Sequence, residues 1–357
     1  MQKSQAVVKG RTLSARWHHH LHPSAQKHNP RNGLPHCLED LVHPTHAHLT
    51  KSDDGDLAWT SRDHRKNRHV PASPKSGNAR LGTTVLQRFG HLGRIEYWNI
   101  SWWVAIAFTL GSVVWVINGF VAFLPEVDPD MKEMDASSGW TAFVGATIFE
   151  IGSVFGILEA WNRDDAANFG WSLEKAFRHK PGDEQGLTIV GSSHSETGSQ
   201  QIKPTRQWIW FSLDGKYWHE LGFLAAFSQL CAATIFWISG FTAIPTIQSA
   251  IKSNSGLLDG VFWTPQVIGG SGFIISATFI MLETQEKWYK LSPLNLGWQV
   301  GFWNMIGAIG FTLSGALGYA AETSSGAAYQ SALSTFWGGW AFLFGSVIQW
   351  YESVNSI

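Results

Sequence analysis

From about residue 101 onward the chain alternates long apolar runs with polar connections. Six runs cover about 101–124, 139–161, 220–244, 261–282, 298–320 and 332–351. A hydrocarbon layer of about 30 Å takes roughly 20 helical residues, so each run predicts one membrane-spanning helix rather than a soluble core helix. The clearest is Gly139 to Asn162, GWTAFVGATIFEIGSVFGILEAWN, which carries one carboxylate, Glu150, at its middle. Before residue 98 neither helical nor strand periodicity is sustained. A composition of His, Pro, Ser, Lys and Arg there predicts a disordered tail over 1–97.

Charge sets the expected topology. Grouping the connections by side puts 24 of the 26 Lys/Arg on one face, namely the tail, the loop 162–219 and the loop 283–297. The positive-inside rule makes that face cytosolic, with both termini on it. Trp98, Trp102, Trp103, Trp161, Trp218, Trp288 and Trp298 are then expected in a cytosolic aromatic belt. Residues 1–98 hold 15 Lys/Arg against 7 Asp/Glu, and the run Arg62-Asp63-His64-Arg65-Lys66-Asn67-Arg68-His69 is its densest basic part. Ahead of membrane spans this reads as a contact for anionic lipid, and no nucleic acid is expected. Only Cys37 and Cys231 are present, which excludes a disulfide framework. The first 30 residues hold no apolar segment of the signal-peptide kind, so the first span is expected to direct insertion.

The spans repeat in pairs. Asn118-Gly119, Ser239-Gly240 and Ser314-Gly315 recur in the odd spans, and Gly152-Ser153, Ser276-Ala277 and Gly345-Ser346 in the even ones. Six residues after each of the latter pairs stands a carboxylate, Glu159, Glu283 or Glu352. The fold class expected is all-α: a polytopic membrane protein of six transmembrane helices, arranged as three parallel repeated helical hairpins. Its parts are the basic, His-rich tail at 1–97, a first hairpin at 98–161 and a loop with interfacial segments at 162–219. A second hairpin at 220–284 and a third with a short C-terminus at 285–357 complete it. Small residues such as Gly152 and Gly156, spaced G-x-x-x-G, read as helix-packing positions.

The first hairpin carries Phe108-Thr-Leu-Gly111-Ser112 and Phe149-Glu-Ile-Gly152-Ser153. On these motifs it resembles the two-span YrhK-like membrane domain. With Ile238-Ser-Gly-Phe241, Pro265-Gln-Val-Ile-Gly-Gly270 and Met281-Leu-Glu-Thr-Gln285 downstream, residues 95–355 look like fungal multi-span integral membrane proteins carrying such a domain. The resemblance implies six spans and no particular activity. Span 3 departs from the motif, reading Phe227-Ser-Gln-Leu-Cys231.

Ionised carboxylates are costly at mid-membrane, at roughly 2.5–3.5 kcal/mol on insertion scales, so Glu150 is expected either to face the bundle interior or to be protonated. Asn118, Gln229, Gln266 and Asn304 are the other polar side chains near span centres, and with Glu150 they form the candidate polar path. Its equivalents in the other hairpins are Ile274 and Leu343, so Glu150 is an addition to the repeat. Glu159, Glu283 and Glu352 are candidate carboxylates at the cytosolic helix ends, either as solvated stops or as a three-carboxylate ring that docks a partner. No hydrolase, metalloprotease, P-loop or dinucleotide motif occurs, so no catalytic residue, cofactor or metal site is expected. The leading expectation is a small transporter or channel-like protein for a cation, a proton or a small polar solute. The alternative is a non-catalytic scaffold or adaptor that organises lipid or protein partners, alone or as a homo-oligomer. A continuous polar path at Glu150 favours the first, and a dry, packed centre favours the second.

Overall fold

The computed structural model describes residues 25–28, 34, 41–51, 55–66, 70–71, 85–128, 130–131, 135–163, 169–170 and 208–355. The described part of the N-terminal region is not without regular structure. Strands β1 (Ala25–His28), β2 (His46–Lys51), β3 (Gly55–Thr60) and β4 (Val70–Pro71) form an antiparallel sheet in that order, with His46 opposite Thr60 and Lys51 opposite Gly55. Thr60 ends β3 and caps the short helix α1 (Ser61–Arg65) by accepting from the Asp63 amide. This differs from the disordered tail expected over 1–97. The contacts that order α1 are supplied from more than 200 residues away, beyond the reach of local periodicity. His18, His19, His20, His22, His36 and Cys37, with Trp171–Phe177 of the long loop, lie outside the described residues.

The chain is a polytopic membrane protein. Among the described residues six helices are long and apolar enough to cross a bilayer: α2 (Ile100–Val127), α3 (Asp135–Trp161), α4 (Leu221–Thr242), α5 (Thr264–Thr284), α6 (Leu296–Gly318) and α7 (Ser325–Val354). Polar side chains start several of them: Asn99 accepts from the Ser101 amide, Asn295 from those of Gly297 and Trp298, and Ser324 from that of Ala327. The fourth span begins earlier than α5, at Ser255, and passes through a π turn at Asp259–Trp263. Pro265 follows at once in the first turn of α5, where a residue without an N–H is tolerated.

Each helix packs on the next in the chain, and α7 returns to α2, so the six close a ring. On its axis lie six aromatic side chains in two triangles, all buried. Trp115, Phe236 and Phe311, from α2, α4 and α6, have centroids 4.7 to 5.6 Å apart. Phe149, Phe273 and Phe342, from α3, α5 and α7, are 5.5 to 6.5 Å apart. Edge contacts such as Phe311 to Phe342 at 5.1 Å join the triangles. In lipid no hydrophobic drive separates helix from helix, so ring-to-ring contacts of about 0.5–1.5 kcal/mol each matter to the packing. The ring of helices is thereby closed at its middle by a buried, aromatic floor. The aromatic belt is only partly outward: Trp98, Trp218 and Trp288 are exposed, whereas Trp102 and Trp298 are buried in the protein.

Candidate functional site

The helices alternate in direction, so α2, α4 and α6 begin where α3, α5 and α7 end. At that end stand Glu159, Glu283 and Glu352, each 10 residues beyond its Phe of the aromatic floor, or about 15 Å along a helix. All three are buried, Glu283 completely. Helix α1 is seated among them. Arg65 forms a two-pronged pair with Glu283, Nη1 to Oε1 and Nη2 to Oε2 both at 3.0 Å. Arg62 does the same with Glu352, Nε to Oε1 at 2.8 Å and Nη2 to Oε2 at 2.7 Å. Lys66 Nζ reaches Glu352 Oε2 at 2.9 Å, and Ser61 Oγ donates to Glu283 Oε1 at 3.1 Å. Two-pronged guanidinium–carboxylate pairs are the strong, oriented kind. Burial works against the charge of Arg62, but Glu352, aided by Glu283 and Glu159, outweighs it and holds the guanidinium above its ordinary pKa.

Two glycines make room for these side chains. A Cβ on Gly222, in the first turn of α4, would overlap the Arg65 guanidinium, and one on Gly297, in the first turn of α6, would lie 2.5 Å from Arg62 Nε. In the first turn of α2 the matching place is taken by Ser101, whose hydroxyl donates to Glu159. Two carboxylates thus sit behind open notches filled by arginine, and the third is answered from within by a serine.

Between α1 and the aromatic floor lies a cavity of about 80 Å³, enough for several waters or one small solute. Its ceiling is Arg62, Arg65 and Lys66, and its floor includes Phe149 and Phe342. Glu159, Gln229, Asn304, Gln349 and the hydroxyls of Ser112, Ser276 and Ser346 give it a polar wall. Gly156 also lines it and has nothing within 4 Å of a built Cβ, so this residue borders space and does not serve as a packing position.

The five residues of the expected polar path are not brought together. Gln229 and Asn304 reach the cavity. Asn118 lies beyond the floor and ties α2 to α3, donating to the Ser138 carbonyl at 2.7 Å and to Thr141 Oγ1 at 2.9 Å. Gln266 ties α5 to α6, donating to Ser314 Oγ at 3.1 Å. Glu150 follows Phe149 directly on α3. With Phe149 pointing to the axis, the next side chain is turned about 100° away. Its Oε1 accepts from Thr234 Oγ1 at 2.9 Å in the cleft between α3 and α4, beside the exposed Thr234 and Cys231. Glu150 therefore turns to the cleft between α3 and α4 and not to the axis, with Oε1 hydrogen-bonded there and Oε2 buried without a hydrogen-bond partner among the described residues.

The residues missed at the sequence level are Arg62, Arg65, Lys66, Ser101, Gly222 and Gly297. A signal for the notches exists in the recurring helix starts Asn99-Ile-Ser-Trp102, Glu220-Leu-Gly-Phe223 and Asn295-Leu-Gly-Trp298. Among the described residues no group of three or more His, Cys, Asp or Glu is placed to hold a metal ion. No protein-family model, curated protein or solved structure matches the chain.

Proposed function

We propose that the protein is a non-catalytic membrane scaffold or adaptor, built of three repeated hairpins, whose axial vestibule docks a basic chain segment. Residues 61–66 are its occupant in this state. The observation that carries the reading is the pairing of Arg62, Arg65 and Lys66 with Glu352 and Glu283 over a floor of six aromatic rings. Support for the repeat comes from layers that each take one residue from alternate helices: Ser101, Gly222 and Gly297, then Phe108, Gln229 and Asn304, then Trp115, Phe236 and Phe311. Within each of the three helices these layers are spaced seven and then seven residues apart. The loop charges favour a cytosolic vestibule. On this reading the hairpins are variants of one unit, the first of them YrhK-like, and Ser101 marks the copy that lost its notch.

A transporter or channel-like role for a cation, a proton or a small polar solute is the second reading. The polar cavity beneath α1 favours it, and the aromatic floor and the outward position of Glu150 weigh against it. Hydrogen exchange and flux separate the two. In reconstituted wild-type protein the amides of 61–66 are expected to be protected, and Glu283→Gln/Glu352→Gln is expected to remove that protection with no ion flux in either form. Unprotected amides in the wild type would sink the docking reading. Cation flux appearing once the segment is released would move the assignment to transport.

A further inference from the structure

The vestibule holds more than a place for a helix: it holds two recognition sites for a planar, forked cation. Each consists of a buried carboxylate presented edge-on, Glu283 or Glu352, and a glycine notch in the first turn of the facing helix, Gly222 or Gly297. Both are filled by guanidinium groups with two hydrogen bonds each, all between 2.7 and 3.0 Å. An ammonium group, as a point charge, has no use for the notch's flat shape, whereas a guanidinium matches both fork and slot. Below them the cavity supplies Gln229, Asn304 and Glu159 as further polar partners without filling the space.

We infer that the vestibule is a binding site for small guanidinium compounds, with Arg62 and Arg65 acting as tethered stand-ins for that ligand. The inference rests on the docking reading and adds the ligand class. A free guanidinium compound enters when α1 leaves, its fork on Glu283 through the Gly222 notch or on Glu352 through the Gly297 notch. The tethered segment competes at an effective concentration in the millimolar range, so the intact protein binds such a compound weakly.

The test uses the full chain in lipid nanodiscs, with agmatine as probe, putrescine as a diamine lacking the fork, and a peptide of residues 57–70 added in trans. Arg62→Gln/Arg65→Gln/Lys66→Gln is expected to bind agmatine saturably and at least tenfold tighter than wild type. Adding Glu283→Gln and Glu352→Gln is expected to weaken it at least tenfold, and putrescine is expected to bind at least fivefold more weakly. Should the triple variant not fold, Arg65→Gln alone empties the Glu283 notch and is expected to show the same preference. Peptide binding without agmatine binding, or putrescine binding as tightly as agmatine, would overturn the guanidinium site and leave docking intact. Failure of both agmatine and peptide to bind a well-folded variant would overturn both.

Discussion

Gly222 and Gly297 decide what Glu283 and Glu352 can hold, because the space for each arginine is the absence of a side chain. Gly222→Val is expected to expel the Arg65 guanidinium and expose α1 to proteolysis between residues 61 and 66. Gly156→Ala, at a position with open space around it, is expected to leave proteolysis and thermal midpoint unchanged. Limited digestion of the two variants side by side checks the pair, and equal resistance would mean that the notch does not govern seating. Removing a carboxylate is a different perturbation. Glu283→Gln leaves Arg65 buried against a neutral amide, and loss of one partner of a buried ion pair costs about 3–5 kcal/mol. The thermal midpoint is expected to fall accordingly, and Arg65→Gln in the same chain to restore part of the loss. Ser101→Gly asks the reciprocal question, since it removes the hydroxyl that answers Glu159 and opens a third notch.

Among the elements, the six spans were readable because length and composition act locally, whereas their capped starts were not read, and the last helix begins at Ser325, seven residues before the expected 332. About 20 apolar residues span a bilayer wherever they occur. The three carboxylates were readable as a set from their common offset, and the structure gathers them at one end of the ring. The seating of α1 was not readable. A basic run has the same composition whether it lies on lipid or enters a bundle, and the partners of Arg62 and Arg65 stand 290 and 218 residues away. The direction of Glu150 was misjudged because an inward side chain was inferred from its depth in the span, whereas depth says nothing about which side of the helix faces the axis. Phe149, one residue earlier, takes the inward side. The aromatic floor also escaped notice, as Trp was weighed for the interface and Phe149 as part of a motif, neither for the axis. Truncating a floor residue such as Phe311→Ala is expected to cost about 3–5 kcal/mol and join the cavity to the space beyond it. Glu150→Gln keeps an acceptor for Thr234 and is expected to leave the thermal midpoint nearly unchanged. Denaturation of the two variants in one detergent gives the contrast, and similar losses would place Glu150 in the packed interior after all.

Over the whole molecule, the described N-terminal residues are fastened to the bundle at several places. One is α1 in the vestibule, and another is the end of α7, where His91 and the Arg88 carbonyl meet Asn355 and Phe89 packs on Tyr351. A third is the approach to α4, where the His43 amide donates to the His219 carbonyl at 2.6 Å and His219 Nδ1 lies 2.8 Å from the Leu41 carbonyl. The two imidazoles meet edge to face at 5.7 Å, beside the Arg163–Glu220 ion pair. Burial, then His219 and Arg163, push the pKa of His43 below its ordinary value of 6.5. Free of the bundle, His43 takes up a proton near that ordinary value, whereas docked it resists the proton to lower pH. The undocked form therefore binds more protons in the interval below about 6.5, and docking weakens there as pH falls. Above it the contribution is fully present. Arg62, held above its ordinary value, keeps its charge over this interval, and the vestibule also holds the buried His64 and three carboxylates. Hydrogen exchange over 41–46, corrected for intrinsic rates, is expected to lose protection between pH 7.5 and 5.5 in the wild type. His43→Gln is expected to flatten that change, because an uncharged side chain leaves no proton to take up. A wild-type loss that persists undiminished in His43→Gln would assign the acid response to another group.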